Sequence, residues 1–220
     1  MQADRLTASL PFEAALLDCC FGEHDAVSFA GGLNRQVARI DWNTLKSSIL
    51  GTHADAVKSL VYSTTANLLV SGSWDSTITG WDAKASTARV ATTTVPGKVY
   101  SMDTVGNLLI VAMSERHVQL FDLRKMEQPL QTRESSLRHQ TRCVRLSPAA
   151  DSFAISSIEG RVGIEMVDPE AQDCNFAFKC HRAPAPDQEN TELVYPVNAL
   201  AFHPRYAPTP VGLPDRTLNC

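Results

Sequence analysis

Short apolar segments recur along this chain of 220 residues, and they are bounded by Gly, Asn, Asp or Pro. The segments are rich in β-branched residues and lack the three-to-four-residue spacing of an amphipathic helix, so the pattern predicts short β-strands. Five of them are similar starting strands, at 16–21, 57–62, 99–103, 143–146 and 197–202. A second apolar segment follows at 68–71, 108–112 and 153–156.

A turn follows these segments at a nearly constant spacing. The turn residues are Asn34, Asp75, Glu115 and Glu159, which are 41, 40 and 44 residues apart. Three positions after each turn stand Val37, Ile78, Val118 and Val162. Six and seven positions after the turns come Ile40 and Asp41, Trp81 and Asp82, Phe121 and Asp122, and Glu165 and Met166. The first three copies therefore share an ending that the fourth has lost.

A repeat of about 40 to 45 residues with several short strands and Trp-Asp endings is typical of a WD-repeat β-propeller, whose blades are four-stranded sheets. We predict an all-β, incomplete propeller arc of about four to five blades. The predicted repeats are 14–46, 47–88, 89–132, 133–180 and, in part, 190–204. Residues 1–13 are interpreted as the remnant of a preceding blade or a disordered start, and 205–220 as an atypical, disordered tail.

The polar residues of the second repeat allow two interpretations. The loop before a starting strand and the turn between the second and third strands lie on the same face of a blade, so His53 should meet Asp75. Ser71 and Trp81 can then complete a hydrogen-bonded structural network, which is favourable because buried polar groups are costly unless they are paired. The remote alternative is a hydrolase that uses Ser71, His53 and Asp75, and it fits the geometry of a catalytic triad less well.

Composition and charge exclude several classes of function. The net charge of −4 provides no broad cationic field for nucleic acid. No apolar run approaches the roughly 20 residues of a membrane span, and no secretory signal follows Met1, so we expect neither a membrane partner nor secretion. Cys174, Cys180 and His181 lack further ligands at zinc-binding spacing, and phosphate-loop or hydrolase motifs are missing. We therefore predict no metal, no cofactor and no catalytic activity.

Several cations map to the face that carries the Asp75 turn. The interval between the fourth and fifth starting strands is unusually long, and it contains Lys179, His181 and Arg182. Lys98 and Arg142 are predicted to precede starting strands, and Arg161 follows the fourth turn. Such a cluster would recognise carboxylate or phosphorylated side chains. The alternative is a set of separate, solvated charges.

Five stretches resemble a known family more closely than they resemble propellers in general. They are LVSGSWDSTITGWD, RESSLRHQTRCVRL, SSIEGRVGIEMVDP, FAFKCHR and VYPVNALAFHP. Together they resemble the non-kinase propeller subunit of the spindle-assembly checkpoint, in the budding-uninhibited-by-benzimidazole family. A sister family, the mRNA-export propeller that binds a nucleoporin, shares two of these stretches.

The resemblance implies a seven-bladed propeller without catalytic activity. It implies binding of GLEBS motifs of checkpoint kinases and of phosphorylated MELT motifs on the kinetochore scaffold, which brings the kinases to unattached kinetochores. The anaphase-inhibiting checkpoint complex is a further candidate partner. By this resemblance Lys179, Arg182 and Arg161 would face acidic or phosphorylated partner groups, and Trp74 would lie at the same rim. The implied location is the nucleus and kinetochore, with the cytoplasm as the alternative; the alternative function is binding of a nucleoporin GLEBS motif.

The two ends of the chain depart from the family pattern. The family has a full blade before the first one found here, and it continues after residue 204 with a blade rich in Gly and Trp-Asp, where this chain reads YAPTPVGLPDRTLNC. An open arc leaves sheet edges and blade faces uncovered. We therefore expect the isolated chain to be prone to aggregate.

Overall fold

A computed structural model describes residues 8–82, 89–186, 191–203 and 218–219 of the chain. Four antiparallel sheets of four strands, here called blades 1 to 4, follow one another along the chain. In each blade the strands pair in chain order, so the sheet is a simple meander. The prediction of an all-β WD-repeat propeller arc is confirmed, and the described sheets form an open arc.

The strand bounds follow the periodicity of the sequence. Blade 1 contains β1 Leu16–Phe21, β2 Val27–Gly32, β3 Gln36–Asp41 and β4 Lys46–Thr52. Blade 2 contains β5 Val57–Ser63, β6 Leu68–Ser73, β7 Thr77–Trp81 and β8 Arg89–Thr94. Blade 3 contains β9 Val99–Val105, β10 Leu108–Met113, β11 His117–Asp122 and β12 Gln131–Glu134. Blade 4 contains β13 Thr141–Leu146, β14 Ser152–Ser157, β15 Arg161–Met166 and β16 Phe176–Lys179.

The segment after blade 4 forms two small hairpins. β17 Arg182–Pro184 pairs with β18 Glu192–Val194, and β19 Ala201–Phe202 pairs with β20 Leu218–Asn219. Of the predicted fifth starting strand at 197–202, only the last two residues are in a strand. Most of the predicted tail at 205–220, and residues 1–7 of the predicted start, lie outside the described residues.

The innermost strands of adjacent blades are joined by a repeated hydrogen bond. Asp18 Oδ2 accepts from the Leu60 N–H at 2.8 Å, Ser59 Oγ from the Met102 N–H at 3.1 Å, and Ser101 Oγ from the Val144 N–H at 3.1 Å. The accepting residue follows the β-bulge of its strand in each case, so it occupies the same position in blades 1, 2 and 3. A polar side chain at this position therefore helps to hold the next blade in place, and in blade 3 Asp103 Oδ2 accepts a second such bond from the Leu146 N–H at 2.8 Å.

The cores lie between the blades, where each sheet packs on its neighbour. Val57 and Val99 are fully buried starting residues of β5 and β9. A Cβ added at Gly31 would lie 2.6 Å from Val57 Cγ1, and one added at Gly72 would lie 2.6 Å from Val99 Cγ1. These glycines let the following blade approach closely, and the packing holds the turns and connections of the blades together at one end of the arc.

Candidate functional site

The candidate site lies on one face of the arc, here called the turn face. It carries the turns between the second and third strands, at 33–35, 74–76, 114–116 and 158–160, and the connections between blades, at 53–56, 95–98 and 135–140. They meet at one end because each blade is an antiparallel meander, in which the second strand and the fourth strand both end at that side. All the predicted site residues belong to this face or to the strands that lead to it.

On blade 2 the predicted network of His53, Ser71, Asp75 and Trp81 forms one hydrogen-bonded chain. Trp81 Nε1 donates to Ser71 Oγ at 2.7 Å, and Ser71 Oγ lies 2.7 Å from His53 Nε2. His53 Nδ1 lies 3.1 Å from Asp75 Oδ2. A neutral His53 that carries its proton on Nδ1 satisfies every link, since Ser71 then donates to Nε2 and accepts from Trp81.

Asp75 also holds backbone from both sides of the network. Its carboxylate accepts from the N–H of Ala54 at 2.8 Å and from the N–H and hydroxyl of Thr77 at 2.9 and 2.6 Å. Burial acts to raise the pKa of Asp75, but the bonds from Thr77 and Ala54 and the nearby His53 outweigh it and lower the pKa. The carboxylate thereby ties the connection before β5 to the turn before β7.

The same geometry contradicts the alternative of a hydrolase. Ser71 is fully buried, and the side chain of His53 is 2% exposed, so a substrate cannot reach the hydroxyl. The Ser71 oxygen is already engaged by Trp81, where a catalytic nucleophile needs an open approach. The network is therefore a structural element of blade 2.

The buried imidazole should make stability depend on pH. Burial lowers the pKa of His53 below its ordinary value of 6.5, helped by Arg89 and opposed by Asp75. Just below pH 6.5 the unfolded chain therefore binds more protons at His53 than the folded chain does. The contribution of His53 to the free energy of unfolding is complete above that pH and is lost as the pH falls. We expect the urea midpoint to decline between pH 7 and pH 5, and to decline less in His53→Gln. Equal slopes in the two proteins would contradict this assignment.

Two of the predicted cations, Arg161 and Arg182, contact the turn residue Glu159, as does His139. Arg161 Nε lies 3.3 Å from Glu159 Oε1, and His139 Nε2 lies 3.2 Å from Oε2. Arg182 Nη2 donates to the backbone oxygen of Glu159 at 2.9 Å. Lys179 is exposed and pairs with Arg161 across the β15–β16 ladder. The structure thus brings Arg161, Lys179 and Arg182 together, and we call these three residues the blade-4 cluster.

A cavity of about 370 Å³ opens beside this cluster. It is lined by Ser136, Leu137, Arg138, His139, Glu159, Arg161 and Ala177. Its polar wall combines the guanidinium groups of Arg138 and Arg161 with the carboxylate of Glu159.

The other predicted site residues lie apart from the blade-4 cluster or close to its edge. His181 follows β16 in a left-handed conformation, with Nδ1 3.4 Å from the Pro196 oxygen. Lys98 is exposed in the connection between blades 2 and 3, where its N–H donates to Ser114 Oγ. Trp74 lies half-buried at the turn of blade 2, and its Nε1 has no hydrogen-bond partner in the described part of the chain.

The prediction for Arg142 was wrong in its local structure. Arg142 lies inside β13 rather than before it, because Thr141 already pairs with Ser157 ahead of the bulge. Its guanidinium donates to Asn198 Oδ1 at 2.9 and 3.1 Å. The side chain therefore links blade 4 to the segment that follows it.

Comparisons with known proteins agree with the fold. A model of the "WD domain, G-beta repeat" family matches residues 44–82. The chain is 46% identical to the mitotic checkpoint protein BUB3.1 of Arabidopsis thaliana, and 38% identical to the mitotic checkpoint protein bub-3 of Caenorhabditis elegans. Each match covers 93% of this chain, and 61% and 60% of the relatives. This chain is a WD-repeat protein that is similar to these checkpoint proteins over most of its own length.

A further relative has a name that refers to a different process. The Poly(A)+ RNA export protein of Schizosaccharomyces pombe is 34% identical over 86% of this chain and 54% of its own length. The chain spans about three fifths of the length of the two checkpoint relatives named above. The resemblance predicted from the quoted motifs is confirmed for both branches of the family.

The sequence analysis did not predict three residues that belong to the site. Glu159 was recognised only as a turn residue, although it occupies the position that Asp75 holds in blade 2. His139 and Glu192 lie in a connection and a hairpin without repeated spacing, so no periodic signal marks them.

Within residues 8–82, 89–186, 191–203 and 218–219, no group of three His, Cys, Asp or Glu could hold a metal ion. No helix in the same ranges is both long and apolar enough to cross a membrane. Burial raises the pKa of the Cys20 thiol to about 12, which makes this cysteine unreactive near neutral pH.

Proposed function

We propose that this WD-repeat protein is a non-catalytic scaffold of the mitotic spindle checkpoint, acting in the nucleus and at kinetochores. On this proposal its turn face binds GLEBS motifs of checkpoint kinases and phosphorylated motifs of the kinetochore scaffold, and so recruits the kinases to unattached kinetochores. The observation that carries the proposal is similarity to checkpoint proteins over 93% of the chain.

The chemistry of the blade-4 cluster supports an acidic partner. Arg161 and Arg182 can present planar donors that match a carboxylate or phosphate, and exposed Lys179 adds a point charge. On an acidic protein such a local group of cations attracts an acidic segment without attracting nucleic acid in general. The neighbouring cavity provides room for the partner's side chain.

Charge reversal at Arg182 should test this function directly. We expect Arg182→Glu to weaken binding of a fluorescent GLEBS-motif peptide at least about tenfold, because an attractive contact becomes repulsive. Fluorescence anisotropy on the full chain would measure the dissociation constant.

The matched control is Arg124→Glu. Arg124 is 70% exposed and pairs with Asp122 in a turn on the opposite end of blade 3. It carries the same charge change away from the turn face and should leave binding unchanged. Equal binding by wild type and Arg182→Glu would remove the blade-4 cluster from the proposal.

A second candidate function rests on the RNA-export relative. Its 34% identity favours binding of a nucleoporin GLEBS motif, with a role in mRNA export. Competition between a checkpoint-kinase peptide and a nucleoporin peptide for the same protein separates the two. Preference for the nucleoporin peptide would favour export over the checkpoint.

A further inference from the structure

The Arg182 guanidinium is already occupied by a carboxylate of the same chain. Nη1 donates to Glu192 Oε2 at 2.9 Å, and Nη2 donates to the backbone oxygen of Glu159 at 2.9 Å. Nε is buried and has no hydrogen-bond partner in the described part of the chain. Of the two partners, Glu159 contributes backbone that is fixed by its turn, whereas Glu192 contributes a side chain.

Glu192 is the partner that can leave. Its side chain is 57% exposed, whereas that of Arg182 is 18% exposed. Glu192 lies in a three-residue strand of a two-stranded sheet, which is only marginally stable. It stands opposite Pro184, and beside this pair the Ala185 N–H donates to the Thr191 oxygen at 2.9 Å, so displacement involves the Glu192 side chain rather than the backbone of the hairpin. Exposed ion pairs of this kind contribute little stability.

A partner carboxylate would make the same contact that Glu192 makes. An acidic peptide must therefore compete with Glu192 for the Nη1 donor before it can use Arg182. Because Arg182 is otherwise held at Glu159, displacement needs only rotation of the Glu192 side chain into solvent.

We propose that Glu192 is an intramolecular competitor that occupies Arg182 in the free protein and is displaced when an acidic partner binds. The inference rests on the proposed function, since it concerns the same cluster. It adds a regulatory contact: the affinity for the partner is set partly by how firmly the β17–β18 hairpin holds Glu192 against Arg182.

The test is Glu192→Gln, measured with the GLEBS-motif peptide on the full chain. We expect binding to strengthen about two- to fivefold, the range that corresponds to loss of an exposed ion pair. The matched control is Glu134→Gln. Glu134 pairs with Arg116 at 2.8 Å on blade 3, and its side chain is similarly exposed, so the control makes the same change in net charge.

Each outcome decides the inference. A gain in Glu192→Gln that is absent in Glu134→Gln, and absent when Arg182 is also replaced by Gln, supports competition. Weaker binding would show that Glu192 positions Arg182, and unchanged binding would show that it does not compete; either overturns the inference. If Arg182→Glu weakens binding while Glu192→Gln does not change it, the proposed function stands and only this inference fails.

Discussion

Asp75→Ala is expected to lower the free energy of unfolding by about 3 kcal/mol, the usual cost of removing one partner from a buried polar network. The substitution leaves the N–H groups of Ala54 and Thr77 without their acceptor and deprives His53 of its carboxylate. Urea unfolding followed by tryptophan fluorescence measures the change, because Trp81 belongs to the same network.

Asp173→Ala is the matched control. Asp173 is exposed in the short 3-10 helix Pro169–Cys174, so the same chemical change there should alter stability by less than about 0.5 kcal/mol. If Asp75→Ala unfolded at the same urea concentration as the wild type, the network would not stabilise blade 2. A hydrolytic activity that disappeared in a fully folded variant would instead revive the catalytic interpretation.

Gly31→Ala is expected to cost about 1–3 kcal/mol, although it adds a single methyl group. The new Cβ would lie 2.6 Å from Val57 Cγ1 and 2.9 Å from Val57 Cβ. Val57 is fully buried and β-branched, so it cannot rotate away, and blade 2 must shift against blade 1. Thermal unfolding of the two proteins under the same conditions measures the loss.

Gly80→Ala separates crowding from the general effect of replacing a strand glycine. A Cβ at Gly80 would meet Leu68 Cδ2 and Met126 Sδ at 3.4 Å, which is ordinary contact with flexible side-chain ends. We expect this variant to keep the stability of the wild type or to gain slightly. Equal losses in both variants would mean that the close approach of blades 1 and 2 at Gly31 is not the cause.

The parts of the fold that repeat were predictable from sequence. The positions of Asp75 and Trp81 recur in the other repeats, although the residue types differ, and this spacing places both residues on the same blade as His53 and Ser71. The hydrogen bonds of this network connect segments within one repeat, so local geometry determines them.

The contacts that depend on the irregular segment after blade 4 were not predictable. The pairing of Arg182 with Glu192 requires a hairpin inside the long interval between the fourth and fifth starting strands, where no repeat spacing marks a strand. Likewise the contact of Arg142 with Asn198 depends on how residues 197–202 lie against β13, which the repeat spacing does not specify. His139 meets Glu159 only because the connection before β13 and the turn before β15 come to one face.

The repeated hydrogen bonds accepted by Asp18, Ser59 and Ser101 imply that the blades differ in local stability. In blades 2 and 3 the N–H groups of Leu60 and Met102 donate to a side chain of the preceding blade. In blade 1 the Cys19 N–H donates instead to Asp18 Oδ1 of the same strand. Within the described arc, local opening should therefore occur more easily in blade 1 than in blades 2 and 3. A ligand held only by blade 4 would then slow the opening of that blade and leave the opening of blade 1 unchanged.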